Sequence, residues 1–157
     1  MTRLWGRAPA GHRVVDAVPQ AHWQMTTILG ALRAGGMAAA MIVPGATDRE
    51  VFLTFVEQVL VPALKPGEVV LLDNLQPHKV KGVKEAIASV GARVLYLPPY
   101  SPDLNPIEPC WAKVKQHLRT ASARSQPDLT NAISDALHTI TADDGKGFFE
   151  HCGYIVH

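Results

Sequence analysis

One stretch constrains this chain more than any other. Glu68–Leu72 and Arg93–Leu97 are short apolar segments, and between them Val80, Val83, Ile87 and Val90 recur at helical spacing until Gly91 stops the pattern. Two apolar strands around one amphipathic helix predict a parallel strand pair in a covered sheet. That places the chain in the α/β class.

The remaining pattern builds outward from this unit. Trp23–Leu32 reads as a strand, Gly35-Gly36 as a tight turn, and Met37–Val43 as its antiparallel partner, although the alanines there also suit a helix. Thr47-Asp48-Arg49-Glu50 has the form of a capping box, with Thr47 as N-cap and Asp48 at the first helical position. A helical apolar stripe from Val51 to Ala63 follows, with Pro62 near its end. Asn105-Pro106 predicts a further helix, with Asn105 as N-cap, Glu108 at N3, and Ile107, Cys110, Trp111, Val114 and Leu118 inward. A last helix is predicted over Pro127–Ile140, while the tail from Phe148 to His157 shows no clear period. The expected organisation is one domain: a lead-in loop over 1–21, a core over 22–119 and a helical part over 120–157. The sheet is mixed, antiparallel first and parallel second.

Bulk properties exclude more than they select. A length of 157 residues with 47% hydrophobic and 18% charged residues suits one globular domain. No apolar run has membrane or signal-peptide form, and two cysteines without a CxxC indicate neither a zinc framework nor a redox motif. A cytoplasmic protein is expected. The net charge is only +1, but from Lys79 to Arg124 there are eight Lys or Arg against three acids. Such a stretch suits a polyanion as well as an ordinary solvated surface. Lys79, Lys113, Lys115 and Arg119 are the candidate contacts to such a polyanion.

Two carboxylates carry the candidate chemistry. Asp73 follows an apolar strand, at the end where parallel sheets gather ligands. Glu108 lies on the first turn of the Asn105 helix. Each has a plainer alternative, since Asp73-Asn74 also makes a turn and Glu108 also completes a capping box. Together they change the balance, because one crossover helix and a stiff Pro-Pro-Tyr-Ser-Pro loop bring both toward the same sheet edge. Hard oxygen ligands on rigid elements suit Mg²⁺ or Mn²⁺ and a phosphodiester substrate. Asn74 and His78 are candidates to support Asp73 or to touch substrate.

LLDNLQPHK (71–79) and LPPYSPDLNPIEPCWAKVK (97–115), with thirty-four residues between Asp73 and Glu108, resemble the last two signatures of DDE transposases of the Tc1/mariner superfamily, in their bacterial IS630 form. The resemblance runs from about Arg3 to Tyr154. It implies an RNase H-like fold, Mg²⁺- or Mn²⁺-dependent cleavage and joining of transposon-end and target DNA, and Asp73 and Glu108 as the second and third acids of a triad. It further implies a homodimer and a nucleoid-associated location. The family's first Asp sits on a strand shortly before a segment like TRLWGRAPAG, which here begins at Thr2. The first strand and its Asp are thus expected to be missing, and Asp16 and Asp48 are poor substitutes. An upstream, frameshift-encoded polypeptide is the expected source. Without it the sheet should split into two halves with a gap or an intruding segment, such as residues 12–18, between them, and the chain should be inactive. The alternative is a remnant that binds DNA or a partner subunit without cutting.

Overall fold

The computed structural model describes residues 6–15, 24–74 and 81–156. The first two strands are β1 (Thr26–Arg33) and β2 (Gly36–Pro44), an antiparallel hairpin turning at Ala34-Gly35. Next come helix α1 (Arg49–Phe55), strand β3 (Val69–Leu72), helix α2 (Val83–Ser89) and strand β4 (Arg93–Tyr96). Three helices finish the chain: α3 (Ile107–Ala121), α4 (Gln126–His138) and α5 (Ala142–His151). As expected, β3 and β4 pair in parallel, with Val69 opposite Arg93 and Leu72 opposite Tyr96.

The strand period of two decides what packs where. Leu29 and Ala31 of β1 join Val70 and Leu72 of β3 against the buried Phe52, Phe55, Val56 and Leu60 of the α1 segment. Ile28 and Leu32 face the other way, against Cys110 and Val114 of α3 and Ile133 of α4. The hairpin is therefore a layer between two helical layers. Register shifts between Ala31 and Leu32, because Ala39 pairs with Ala31 but Met37 with Leu32. The extra residue, Ala38, resets the alternation and lets Met37 share the α3 face with Ile42. The β3–β4 pair is covered on its α1 and α2 side, while Val69 and Leu95 are exposed, so the expected cover on both faces is not seen among the described residues.

The helices differ from expectation at both ends of α1 and in the tail. Asp48, not Thr47, is the N-cap of α1, and its Oδ1 accepts from the Val51 amide at 2.9 Å. Thr47 Oγ1 is buried without a partner. After Phe55 the helix widens into a π turn (Val56–Leu60) and then a 3-10 turn (Val61–Ala63). Pro62 explains this, since it has no amide to donate and its ring would clash with the carbonyl four residues back. The tail holds a helix, α5, that no apolar period announces. Thr141 caps it by accepting from the Asp144 amide, while Asp144 Oδ2 accepts from the Thr141 amide.

Gly145 shows why α5 lacks a helical signature. A Cβ there would lie 2.6 Å from Ala34 O, 2.7 Å from Arg33 O and 2.9 Å from Gly36 N. The helix rests its backbone on the β1–β2 turn. Gly147, two residues on, has open space around it. Gly145→Ala should therefore lower stability by about 1–3 kcal/mol through overpacking, despite alanine's better helix propensity. Gly147→Ala should raise it by up to about 1 kcal/mol. Thermal melts of both variants check the pair, and equal shifts of the same sign would contradict this packing.

Candidate active site

The two sheets share no strand pairing among the described residues. Between them lies a cavity of about 370 Å³. It touches consecutive residues from Ile28 to Ala34 on one side and from Glu68 to Asp73 on the other. Neighbouring residues of a strand point to opposite faces, so a cavity meeting all of them meets the strands along their edges. The cavity is a slot between two sheet edges. Val14 and Val15 do not fill it: they are exposed and lie outside any strand.

An ion pair closes one end. Arg33 Nε donates to Glu68 Oε1 at 2.8 Å, its Nη2 to Glu68 Oε2 at 2.7 Å, and the same Nη2 to Ala63 O at 2.5 Å. The guanidinium holds the Glu68 carboxyl below its ordinary range. Arg33 ends β1 and Glu68 precedes β3, so the two strands run antiparallel across the slot. At the other end stand Asp73 and Glu108, with Trp111 beside them.

Short hydrogen bonds fix how those carboxylates meet. The Leu97 amide donates to Leu72 O at 2.8 Å, which keeps the chain leaving β4 against the end of β3. The proline loop then winds into a 3-10 turn, Pro102–Leu104. The Asn105 amide donates to Pro102 O at 3.1 Å and the Glu108 amide to Asn105 O at 3.0 Å. Tyr154 Oη donates to Leu104 O at 2.8 Å, so the tail holds this turn in place. Asp73, half-buried, and Glu108, exposed, line a second pocket of about 350 Å³ together with Asn74, Asn105 and the proline loop.

The expected capping box at Glu108 is not formed. Asn105 is taken up by the end of the 3-10 turn, Pro106 itself occupies the N-cap, and no side chain caps α3. Glu108 is therefore second in the helix, where the helix dipole favours its charge but no cap requires it. The capping alternative for this residue falls, which leaves its carboxylate for the pocket.

The other candidates divide. Asn74 lies beside Asp73 in the same pocket. His78, Lys79 and Asp16 lie outside the described residues. Asp48 is engaged as the cap of α1. Lys113 is half-buried, donating to Asp144 Oδ2 at 2.5 Å and Thr139 O at 3.3 Å, so its charge is already matched. Lys115 and Arg119 are exposed and lie seven and eleven residues beyond Glu108, on its own face of α3. They extend a cationic stripe about 10–16 Å from the carboxylate. Burial pushes the Cys110 thiol up to about 11, so it serves as a core group. Arg33, Glu68 and Tyr154 are the positioning residues that residue patterns did not disclose. Arg33 and Glu68 sit on separate elements with no spacing rule between them.

The donor set can be tested for a metal. The polar lining of the second pocket is carboxylate, amide and hydroxyl oxygen, with no thiol or imidazole among the described lining residues. That suits a hard divalent ion held by one or two carboxylates and completed by substrate. Among the described residues no group of three or more His, Cys, Asp or Glu is arranged to hold one.

Residues 1–130 match the family model described as DDE superfamily endonuclease. Solved structures similar to the chain include the Mos1 transposase paired-end complex with left transposon end, at TM-score 0.76 and 17% identity over 97% of this chain and 47% of that one. The Mos1 strand transfer complex gives 0.72 and 16% over 98% and 46%. The Mos1 mariner paired-end complex with Mn gives 0.69 and 17% over 98% and 47%. The chain thus spans about half the length of these proteins, and it shares their RNase H-like fold. No curated protein gives a significant match. No helix among the described residues is long and apolar enough to cross a membrane.

The Lys113–Asp144 pair yields a pH test. The Lys113 ammonium, then the Thr141 amide, holds the Asp144 carboxyl down at about 2, against an ordinary 3.8. A carboxylate whose folded pKa is lowered adds stability that is full above the unfolded value and lost as pH falls through the folded one. Asp144→Asn should cost about 1 kcal/mol at pH 7. The difference from wild type should shrink between about pH 4 and pH 2 in denaturant titrations. A difference that stays constant over that range would contradict the pairing.

Proposed function

Because the chain belongs to the DDE superfamily endonucleases, we propose that it is the catalytic core of a DNA transposase of the IS630 type, which hydrolyses phosphodiesters at transposon ends and joins the freed ends to target DNA. The observation that carries this reading is the convergence of Asp73 and Glu108 on one pocket, one from the end of β3 and one from the first turn of α3. Parallel-sheet ends and helix starts hold side chains on rigid backbone, which is what in-line displacement at phosphorus needs.

Asp73 and Glu108 would hold the Mg²⁺ or Mn²⁺, and Asn74 would support Asp73. When bound, the ion supplies Lewis-acid activation of the attacking oxygen and stabilisation of the leaving one. The chain's own residues do the remaining work. The Tyr154-anchored turn fixes Glu108 relative to Asp73. The Lys115 and Arg119 stripe neutralises phosphates of the strand entering the site. His78 and Lys79 follow Asp73 in sequence and are proposed to contact the same substrate. A homodimer would bring two such sites to paired transposon ends.

The slot suggests how the site is completed. Its walls are the free edges of β1 and β3, antiparallel to each other. A strand entering it parallel to β3 would pair with both and end beside Asp73 and Glu108. We propose that this strand, carrying a third carboxylate, comes from an upstream polypeptide. Among the described residues no third acid joins Asp73 and Glu108, which supports the second reading, a remnant that binds DNA or a partner subunit without cutting.

The test uses protein supplied with that upstream polypeptide and transposon-end DNA. Glu108→Gln should stay folded and lose no more than about 1 kcal/mol, the helix-dipole contribution, since Glu108 is exposed and caps nothing. It should lose more than about 100-fold in divalent-dependent cleavage, as should Asp73→Asn. Cleavage at the wild-type rate by either variant would remove that residue from the site.

A further inference from the structure

Tyr100 is out of place for a turn residue. Its backbone is left-handed, φ 55, a region that suits glycine or asparagine and strains an aromatic residue. Its side chain is 102% exposed, so packing does not offset that strain. Yet its surroundings are stiff. Pro98, Pro99 and Pro102 restrict the chain on both sides, Leu97 is buried and tied to Leu72, and Ser101 Oγ donates to Pro99 O at 3.3 Å. The stiff backbone fixes where this aromatic ring is presented to water, so little backbone freedom is lost when a ligand binds there. That ring borders the same 350 Å³ pocket as Asp73, Asn74 and Glu108.

We propose that Tyr100 is a stacking platform for an unpaired nucleobase adjoining the phosphodiester that the Asp73–Glu108 site acts on; this rests on the DNA-processing reading above. A base inside a duplex already has both faces stacked. Only an unstacked base offers a face to a protein ring, and such stacking is tolerant of base identity. A preset ring beside the carboxylates would favour the frayed or single-stranded nucleotide over the paired one. Tyr100 thereby acts on substrate selection, while Asp73 and Glu108 carry the chemistry.

The test compares two probes in Ca²⁺: a blunt duplex, and the same duplex with a short single-stranded 3′ overhang bearing 2-aminopurine. Wild type and Tyr100→Phe should quench 2-aminopurine on binding. Tyr100→Ala and Tyr100→Gly should lose the quench and bind the overhang probe about 10-fold more weakly, with blunt-duplex affinity unchanged. Tyr100→Gly also relieves the left-handed strain, so it should melt no lower than wild type, which separates stacking from folding. Overhang affinity and quench in Tyr100→Gly equal to wild type would overturn the proposal and leave the transposase reading standing. Failure of wild type to bind either probe would overturn both.

Discussion

The arrangement depends on how two separate sheets are held in one orientation without a shared strand. Arg33 does this at one end, by bridging to Glu68 and Ala63 across the slot. An apolar cluster built on Phe52, Phe55, Val56, Leu60, Val83 and Ile87 does it along one face, since Leu29 and Ala31 of β1 and Val70 and Leu72 of β3 all pack against it. The ion pair sets direction and the apolar layer sets distance. Exposed ion pairs contribute little stability, but a bidentate Arg–carboxylate pair fixes geometry well. With β1 and β3 so fixed, the end of β3 and the start of α3 face each other across the far end of the slot.

The same logic explains why the carboxylates are not on flexible loops. Asp73 continues a strand, Glu108 begins a helix, and the turn between them is tied at both ends, to Leu72 and to Tyr154. The helix that carries Glu108 also carries Lys115 and Arg119 on the same face. A carboxylate at a helix start, with cations farther along the stripe, is the order of charge on which the proposed function rests.

Much of this was legible in residues 68–108. The apolar runs, the amphipathic helix and Gly91 led directly to the parallel pair, and the stiff proline loop led to the meeting of Asp73 and Glu108. The helix starts were less legible, because Thr47 and Asp48 are both good caps, and Asn105 was claimed by a 3-10 turn that periodicity does not show. Helix α5 was hidden by Gly145 and Gly147, which lower propensity while Gly145 serves a close contact with the hairpin turn. Lys113 read as a DNA-facing cation because its partner, Asp144, lies 31 residues on, brought near only by the packing of α5. The slot was expected as the gap between two half-sheets, but from the family resemblance and not from any local pattern, since it belongs to the relation between two sheets.

The central claim is that the slot is a strand site whose filling completes the sheet beside Asp73 and Glu108. Amide hydrogen exchange tests it most directly, on this chain alone and on the chain fused to a segment bearing the proposed strand. The account predicts that the fusion slows exchange in β1 and β3 together, since one inserted strand would pair with both edges. Slowed exchange in only one of these strands, or in neither, would contradict it.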